Sequence, residues 1–167
     1  MKRDGSGVVC YEPANHERMT RLRAEMFLRI AGFLPPMTAL GPERGELLVL
    51  GWGSTYGDIR TAAERARARG LSVASAQLRY LNQLPDDLGD LLGRYERVLV
   101  PELNSGQLRL VLRARYLLDI EGLNKVQGQP FRTWEIEQKI LEMLGEPANA
   151  EHAATGKTRA VGGGLST

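Results

Sequence analysis

The chain has little of several things that would advertise a chemistry. One cysteine, two histidines and 6% aromatic residues occupy its 167 positions. Cys10 alone closes no internal disulfide and cannot hold an iron–sulfur cluster, which needs several thiolates. His16 and His152 stand far apart, at an expected helix start and in a polar tail, so no metal site or catalytic dyad is built from them. Long apolar runs are missing too: nothing approaches the roughly 20 residues that span a bilayer, and Met1–Val9 lacks the apolar stretch of a signal peptide. A cytoplasmic protein without a membrane partner is expected. Charge of one sign is also scarce, because 22 Lys and Arg against 20 Asp and Glu leave +2 spread along the chain. That gives no basic stripe for nucleic acid. Neither a G-x-S-x-G elbow nor an H-E-x-x-H pair occurs.

What is present is an ordinary globular composition, 43% hydrophobic and 25% charged, enough for one sizeable core. Residues 1–14, with Gly5, Ser6, Gly7 and Pro13, read as a linker. Over 15–34, Asn15 as N-cap and Met19, Leu22, Met26, Ile30 and Phe33 at three- and four-residue steps predict a helix with one apolar face. That face needs a cover, and partial exposure is the expectation for this chain by itself. Gly and Pro then predict a loop over 35–45. After Gly145, apolar content almost vanishes, so 146–167 is expected to be a disordered tail.

Between them, 46–145 reads as strand and helix in alternation. Glu46–Leu50, Ser72–Leu78, Arg97–Val100 and Leu123–Gly128 are the expected strands. The expected helices are one carrying Ile59, Ala62, Ala63 and Ala66 and ending at Gly70, one over Pro85–Tyr95, one capped by Ser105 with Leu108, Val111, Leu112 and Leu118 inward, and one over Thr133–Leu144. Short links between alternating elements imply an α/β fold, a parallel sheet covered on both faces.

Ligands of such sheets bind beyond the carboxyl ends of the strands, where three motifs fall. Gly51–Gly57 (GWGSTYG) allows a tight turn before a helix, but its third glycine comes one residue late for a dinucleotide fingerprint and no Gly-Lys-Ser/Thr follows for a P-loop. Arg79–Pro85 places an aromatic, an amide and a cation in series. Pro101–Gln107 (PELNSGQ) clusters more polar side chains than a connection needs. Ser54, Thr55, Tyr80, Asn82, Glu102, Asn104 and Gln107 are therefore the candidate interface or ligand-contact residues, with no catalytic and no metal-binding residue among them. Arg109, Arg113 and Tyr116, at i, i+4 and i+7, share one side of a helix and read as a solvated face or an anion patch.

Together with LRYLNQLP at 78–85 and NKVQGQPF at 124–131, these motifs resemble the C-terminal domain of the alpha subunit of 2-oxoacid:ferredoxin oxidoreductases, most of all the 2-oxoglutarate type. The segment Tyr11–Arg23 is similar to the helix that joins the thiamine-pyrimidine domain to that domain, so the resemblance spans about residues 8–145. Gln83 departs from it, standing where the pattern has proline. The resemblance implies a three-layer α/β/α, transketolase C-terminal-like fold with one antiparallel strand, for which Val8–Tyr11 and Met37–Leu40 are candidates. It further implies a complex that decarboxylates a 2-oxoacid oxidatively on thiamine diphosphate, passes electrons through iron–sulfur clusters to ferredoxin, and makes an acyl-CoA with coenzyme A. On that reading thiamine diphosphate, Mg and the clusters sit on the rest of the complex and no cofactor binds this chain, which is a C-terminal part of a longer subunit, inactive alone. Its partners are the thiamine-pyrimidine domain of the alpha subunit and the beta subunit. Two other readings stay open: a stand-alone α/β module binding a nucleotide or other phosphate at Gly51–Gly57, and a non-catalytic assembly subunit.

Overall fold

The computed structural model describes residues 5–147; most of the expected tail, 148–167, lies outside the described residues. Helix α1 runs from Pro13 to Ala31, two residues ahead of the expected start. Proline is suited to a first helical turn, since its fixed φ fits and its missing N–H has no intrahelical partner there.

The sheet has five strands in the order β1-β3-β2-β4-β5. They are β1 (Ala39–Leu40), β2 (Gly45–Trp52), β3 (Val73–Leu78), β4 (Tyr95–Glu102) and β5 (Ile120–Asn124). Strands β2 to β5 are parallel, and β1 alone runs antiparallel, Ala39 opposite Ala76 and Leu40 opposite Ser75. The antiparallel strand thus comes from the Met37–Leu40 candidate, inside the stretch 35–45 expected to be loop. Two residues are too short a run for alternation to show in the sequence.

Central strand β2 explains the architecture. Leu47, Leu48, Val49 and Leu50 are all fully buried, so the strand reads as a continuous apolar run because both its faces are covered. Leu48 and Leu50 join Leu88, Leu91, Leu92, Leu108 and Leu112 in one core, beneath α3 (Leu88–Leu92) and α4 (Gln107–Tyr116). Leu47 and Val49 face the opposite core with Ile59, Ala62, Ala63, Ala66, Ile136 and Ile140, beneath α2 (Tyr56–Ala68) and α5 (Thr133–Leu144). The result is three layers. Alanines on α2 bring its backbone close to the sheet, and Arg65 and Asp58 of the same helix reach Glu137 (3.4 Å) and Thr133 (2.9 Å) of α5.

Three local expectations need correction. The last strand is Ile120–Asn124 rather than Leu123–Gly128, because pairing with β4 starts at Val98 opposite Ile120 and ends at Glu102 opposite Asn124. The helix expected over Pro85–Tyr95 is one short turn, Leu88–Leu92, stopped at Gly93, and Tyr95 already opens β4. Val111, expected inward, is exposed, whereas Leu108 and Leu112 carry the buried face of α4. No residue of α1 belongs to either core, and Leu22, Met26 and Ile30 are 40%, 56% and 41% exposed.

Candidate functional site

At the carboxyl edge of the sheet the connections part company. From β2 the chain crosses by α2 on one face towards β3, whereas from β4 it crosses by α4 on the other face towards β5. The reversal makes β2 and β4 a topological switch point, the place where open α/β sheets hold ligands. The loops flanking it carry most of the candidate residues.

After β2 the loop is short. Gly51 and Trp52 still belong to the strand, Gly53–Thr55 form one 3-10 turn, and Tyr56 starts α2. Thr55 is buried, its hydroxyl donating to the Trp52 carbonyl at 2.9 Å, and Ser54 is exposed. The Gly53 carbonyl accepts from Gln77 Nε2 of β3 at 3.1 Å, which ties the turn to the neighbouring strand.

The loop after β4 is organised by two side chains. Glu102 is fully buried, and its two carboxylate oxygens accept from the Leu108 amide at 3.1 Å and the Arg109 amide at 2.8 Å. Asn104 Oδ1 accepts from the Gly106 amide at 2.7 Å and the Gln107 amide at 3.3 Å. Amides at the first turn of a helix have no intrahelical acceptor, and their partial positive charge favours an anion. Here the chain supplies its own anion. The cap expected from Ser105 is not made: Gly106 is the N-cap, with φ of +92° that a side chain would strain. Asn124, ending β5, donates to the Asn104 carbonyl at 3.1 Å, and the Lys125 amide donates to the Glu102 carbonyl at 3.0 Å.

Of the remaining candidates, Tyr80, Asn82 and Gln107 are exposed. Tyr80 lines an open cleft of about 720 Å³ with Tyr56 and Arg79. Thus Glu102 and Asn104 are brought together on one helix start, while Ser54, Tyr80, Asn82 and Gln107 remain on the surface. Arg109, Arg113 and Tyr116 do not form a common patch. Arg109 lies against Gly122 and Asn124, Arg113 pairs with Asp119 at 3.0 Å, and Tyr116 packs on Gly89 of α3.

A cluster at the end of β5 escaped the sequence reading. Lys125 Nζ lies 2.9 and 2.8 Å from the two oxygens of Glu135 and donates to the Pro130 carbonyl at 3.0 Å. Glu135 also accepts from the Arg132 amide at 2.7 Å, anchoring the first turn of α5. Burial opposes the charge on Glu135, yet the Arg132 amide and the Lys125 ammonium outweigh it and hold the carboxyl below its usual range. An acidic residue three positions after the helix boundary was the available signal. Among the described residues no group of three or more His, Cys, Asp or Glu is placed to hold a metal ion, and no helix is long and apolar enough to cross a membrane.

Layering, strand order and the single antiparallel edge strand define a three-layer α/β/α domain of the transketolase C-terminal kind. A split-gene transketolase, solved as an inactive beta4 tetramer, shares this fold at a TM-score of 0.51 and 15% identity, over 65% of this chain and 41% of that one. Two further likenesses are narrower. Subunit KorA of a 2-oxoglutarate oxidoreductase of Mycobacterium tuberculosis is 46% identical over 155 residues, 91% of this chain and 23% of that protein. A 2-oxoglutarate:ferredoxin oxidoreductase of Magnetococcus marinus, solved with 2-oxoglutarate, coenzyme A and succinyl-CoA bound, matches at a TM-score of 0.78 and 30% identity, over 86% of this chain and 26% of that one. No protein-family model matches the chain. The chain corresponds in sequence and fold to the C-terminal domain of the alpha subunit of 2-oxoacid:ferredoxin oxidoreductases. It spans about a quarter of the length of these relatives, 23% and 26%.

Proposed function

We propose that this domain is the structural and interface part of an alpha subunit in a thiamine-diphosphate-dependent 2-oxoacid:ferredoxin oxidoreductase that converts 2-oxoglutarate to its acyl-CoA. The observation that carries this reading is the 46% identity over 155 residues with a subunit named for 2-oxoglutarate. A ketoisovalerate oxidoreductase subunit of Methanothermobacter thermautotrophicus is 28% identical over 106 residues, which favours the 2-oxoglutarate assignment between the two.

The residues present do not fit the cofactors of such a complex. A cluster needs several thiolates and Cys10 is the one cysteine. For Mg with its diphosphate, the sequence carries no recognisable diphosphate-binding motif. Thiamine diphosphate, Mg and the clusters are accordingly assigned to the rest of the complex, and no chemical step is assigned to this chain. Its work is positional. Ser54, Tyr80, Asn82 and Gln107 present exposed polar and aromatic groups at the strand ends for contact with the thiamine-pyrimidine domain and the beta subunit, while Thr55, Glu102 and Asn104 shape the loops that carry them. The apolar side of α1 provides a second contact surface for the thiamine-pyrimidine domain, since large exposed apolar patches mark interaction sites.

A domain exchange tests the proposal. This chain replaces the matching region of the M. tuberculosis subunit, the hybrid is produced with its partner subunits, and viologen reduction dependent on 2-oxoglutarate and coenzyme A is measured. An assembled, active hybrid is expected, with no dye reduction by the chain alone. A soluble hybrid that fails to assemble, or activity from the isolated chain, refutes the reading.

A further inference from the structure

Apart from the contact assigned to Tyr80 above, the cleft that Tyr80 lines has a chemistry that neither the loop architecture nor the assembly reading uses. It lies along the outer edge of β3, where β1 pairs only with Ser75 and Ala76. Among the described residues no strand pairs with the outer side of Gln77 or Leu78. The lining combines apolar and ring surface (Pro35, Pro36, Tyr56, Tyr80) with one cation, Arg79, and includes no carboxylate. Arg79 is exposed and has no hydrogen bond or ion pair among the described residues. Asp87, which reaches this region, is engaged by the Met37 amide at 2.7 Å.

The inner wall is polar and incompletely bonded. Ser75 is 3% exposed and its Oγ has no hydrogen-bond partner. Gln77 spends its amide nitrogen on the Gly53 carbonyl, which fixes the orientation of the amide and leaves Oε1 buried and unpartnered. That oxygen lies over Gly51 on the β2 side, away from the cleft, so the Ser75 hydroxyl is the unpartnered group of this wall; a buried polar group without a partner costs about 1–3 kcal/mol and calls for an explanation. A serine hydroxyl changes direction by a single χ1 step between staggered positions. Pockets for small molecules combine these traits, an apolar lining with a few polar groups that fix orientation.

We propose that this cleft binds a small ring-bearing organic anion, its charge against Arg79, its ring on Tyr56 and Tyr80, and a polar atom met by the Ser75 hydroxyl. The site is read on the purified full chain, so its failure is separate from any failure of the assembly reading.

The test is an NMR titration of the isotope-labelled chain with 2-naphthoate as probe, and with neutral 2-naphthalenemethanol beside it. Saturable shifts are expected at the amides of Gly53, Tyr56, Gln77, Arg79 and Tyr80, with the acid bound more tightly than the alcohol. Arg79→Gln should weaken the acid about tenfold, the scale of one lost charge-assisted contact, and abolish the preference over the alcohol. Ser75→Ala should weaken binding while raising the melting temperature, because it removes an unpaired hydroxyl from the free chain. Arg79 is exposed, so its variants should keep the wild-type spectrum; Arg79→Lys then serves as the charge-preserving control and retains the preference for the acid. Shifts confined to α1, absence of shifts at millimolar probe, or an Arg79→Gln chain that binds the acid as tightly as wild type would overturn the proposal.

Discussion

Replacing Glu102 by alanine removes the acceptor of two helix-start amides at once. The carboxylate is fully buried, its oxygens lie 3.1 and 2.8 Å from the Leu108 and Arg109 nitrogens, and Leu108 itself is 6% exposed. Hydrogen bonds to a charged group contribute about 1.5–3 kcal/mol each, and buried donors left unpaired lose their hydration without compensation. The two bonds share one side chain and are not additive, so the expected loss is about 3 kcal/mol, with the lost charge at the helix start included. Glu102→Gln is the informative partner. An amide has one oxygen, and its NH2 would meet a second N–H, so roughly half of the loss should remain in that variant. Urea denaturation followed by circular dichroism measures both. For a domain of this size about 3 kcal/mol corresponds to roughly 10 °C in melting temperature. An alanine variant that loses less than about 1 kcal/mol, the size of an ordinary substitution, would refute the claim that Glu102 occupies the anion position of α4. A glutamine variant as damaging as alanine would show that charge, rather than the number of acceptors, governs the site.

Two further outcomes are expected. Glu135, whose carboxyl is held below its ordinary value of about 4.5, contributes stability that is present above that value and is lost as pH falls through the folded-state pKa. Glu135→Gln should therefore cost about 1 kcal/mol near pH 7, discounted for the partial exposure of the pair with Lys125, and the urea curves of variant and wild type should converge in acid; a gap that stays constant with pH would contradict the assignment. Met26→Glu combined with Ile30→Glu should suppress concentration-dependent self-association, seen by light scattering, and leave the circular dichroism unchanged, because neither residue belongs to a core. A wild type that stays monomeric at high concentration, or a double variant that unfolds, would show that α1 is covered within the chain.

The sequence by itself determined the α/β class, the parallel sheet and the resemblance to an alpha-subunit domain, because those depend on signals carried within a few residues. The run from Leu47 to Leu50 must be buried on both faces whatever surrounds it, and the alanines at 62, 63 and 66 fall on one side of any helix that contains them. Element ends were less legible. The last strand begins at Ile120 because β4 dictates its register, a constraint from residues some twenty positions earlier. Only the tertiary structure placed Ala39 and Leu40 on the sheet edge, since two residues carry no periodicity and their pairing is non-local. Only it, likewise, turned Glu102 and Asn104 onto the start of α4, where both side chains reach amides oriented by a glycine at positive φ. Lys125 and Glu135 met for the same reason: an ion pair depends on where two backbones come to lie, here the residue after β5 and the first turn of α5, and no pattern within either segment reports that distance.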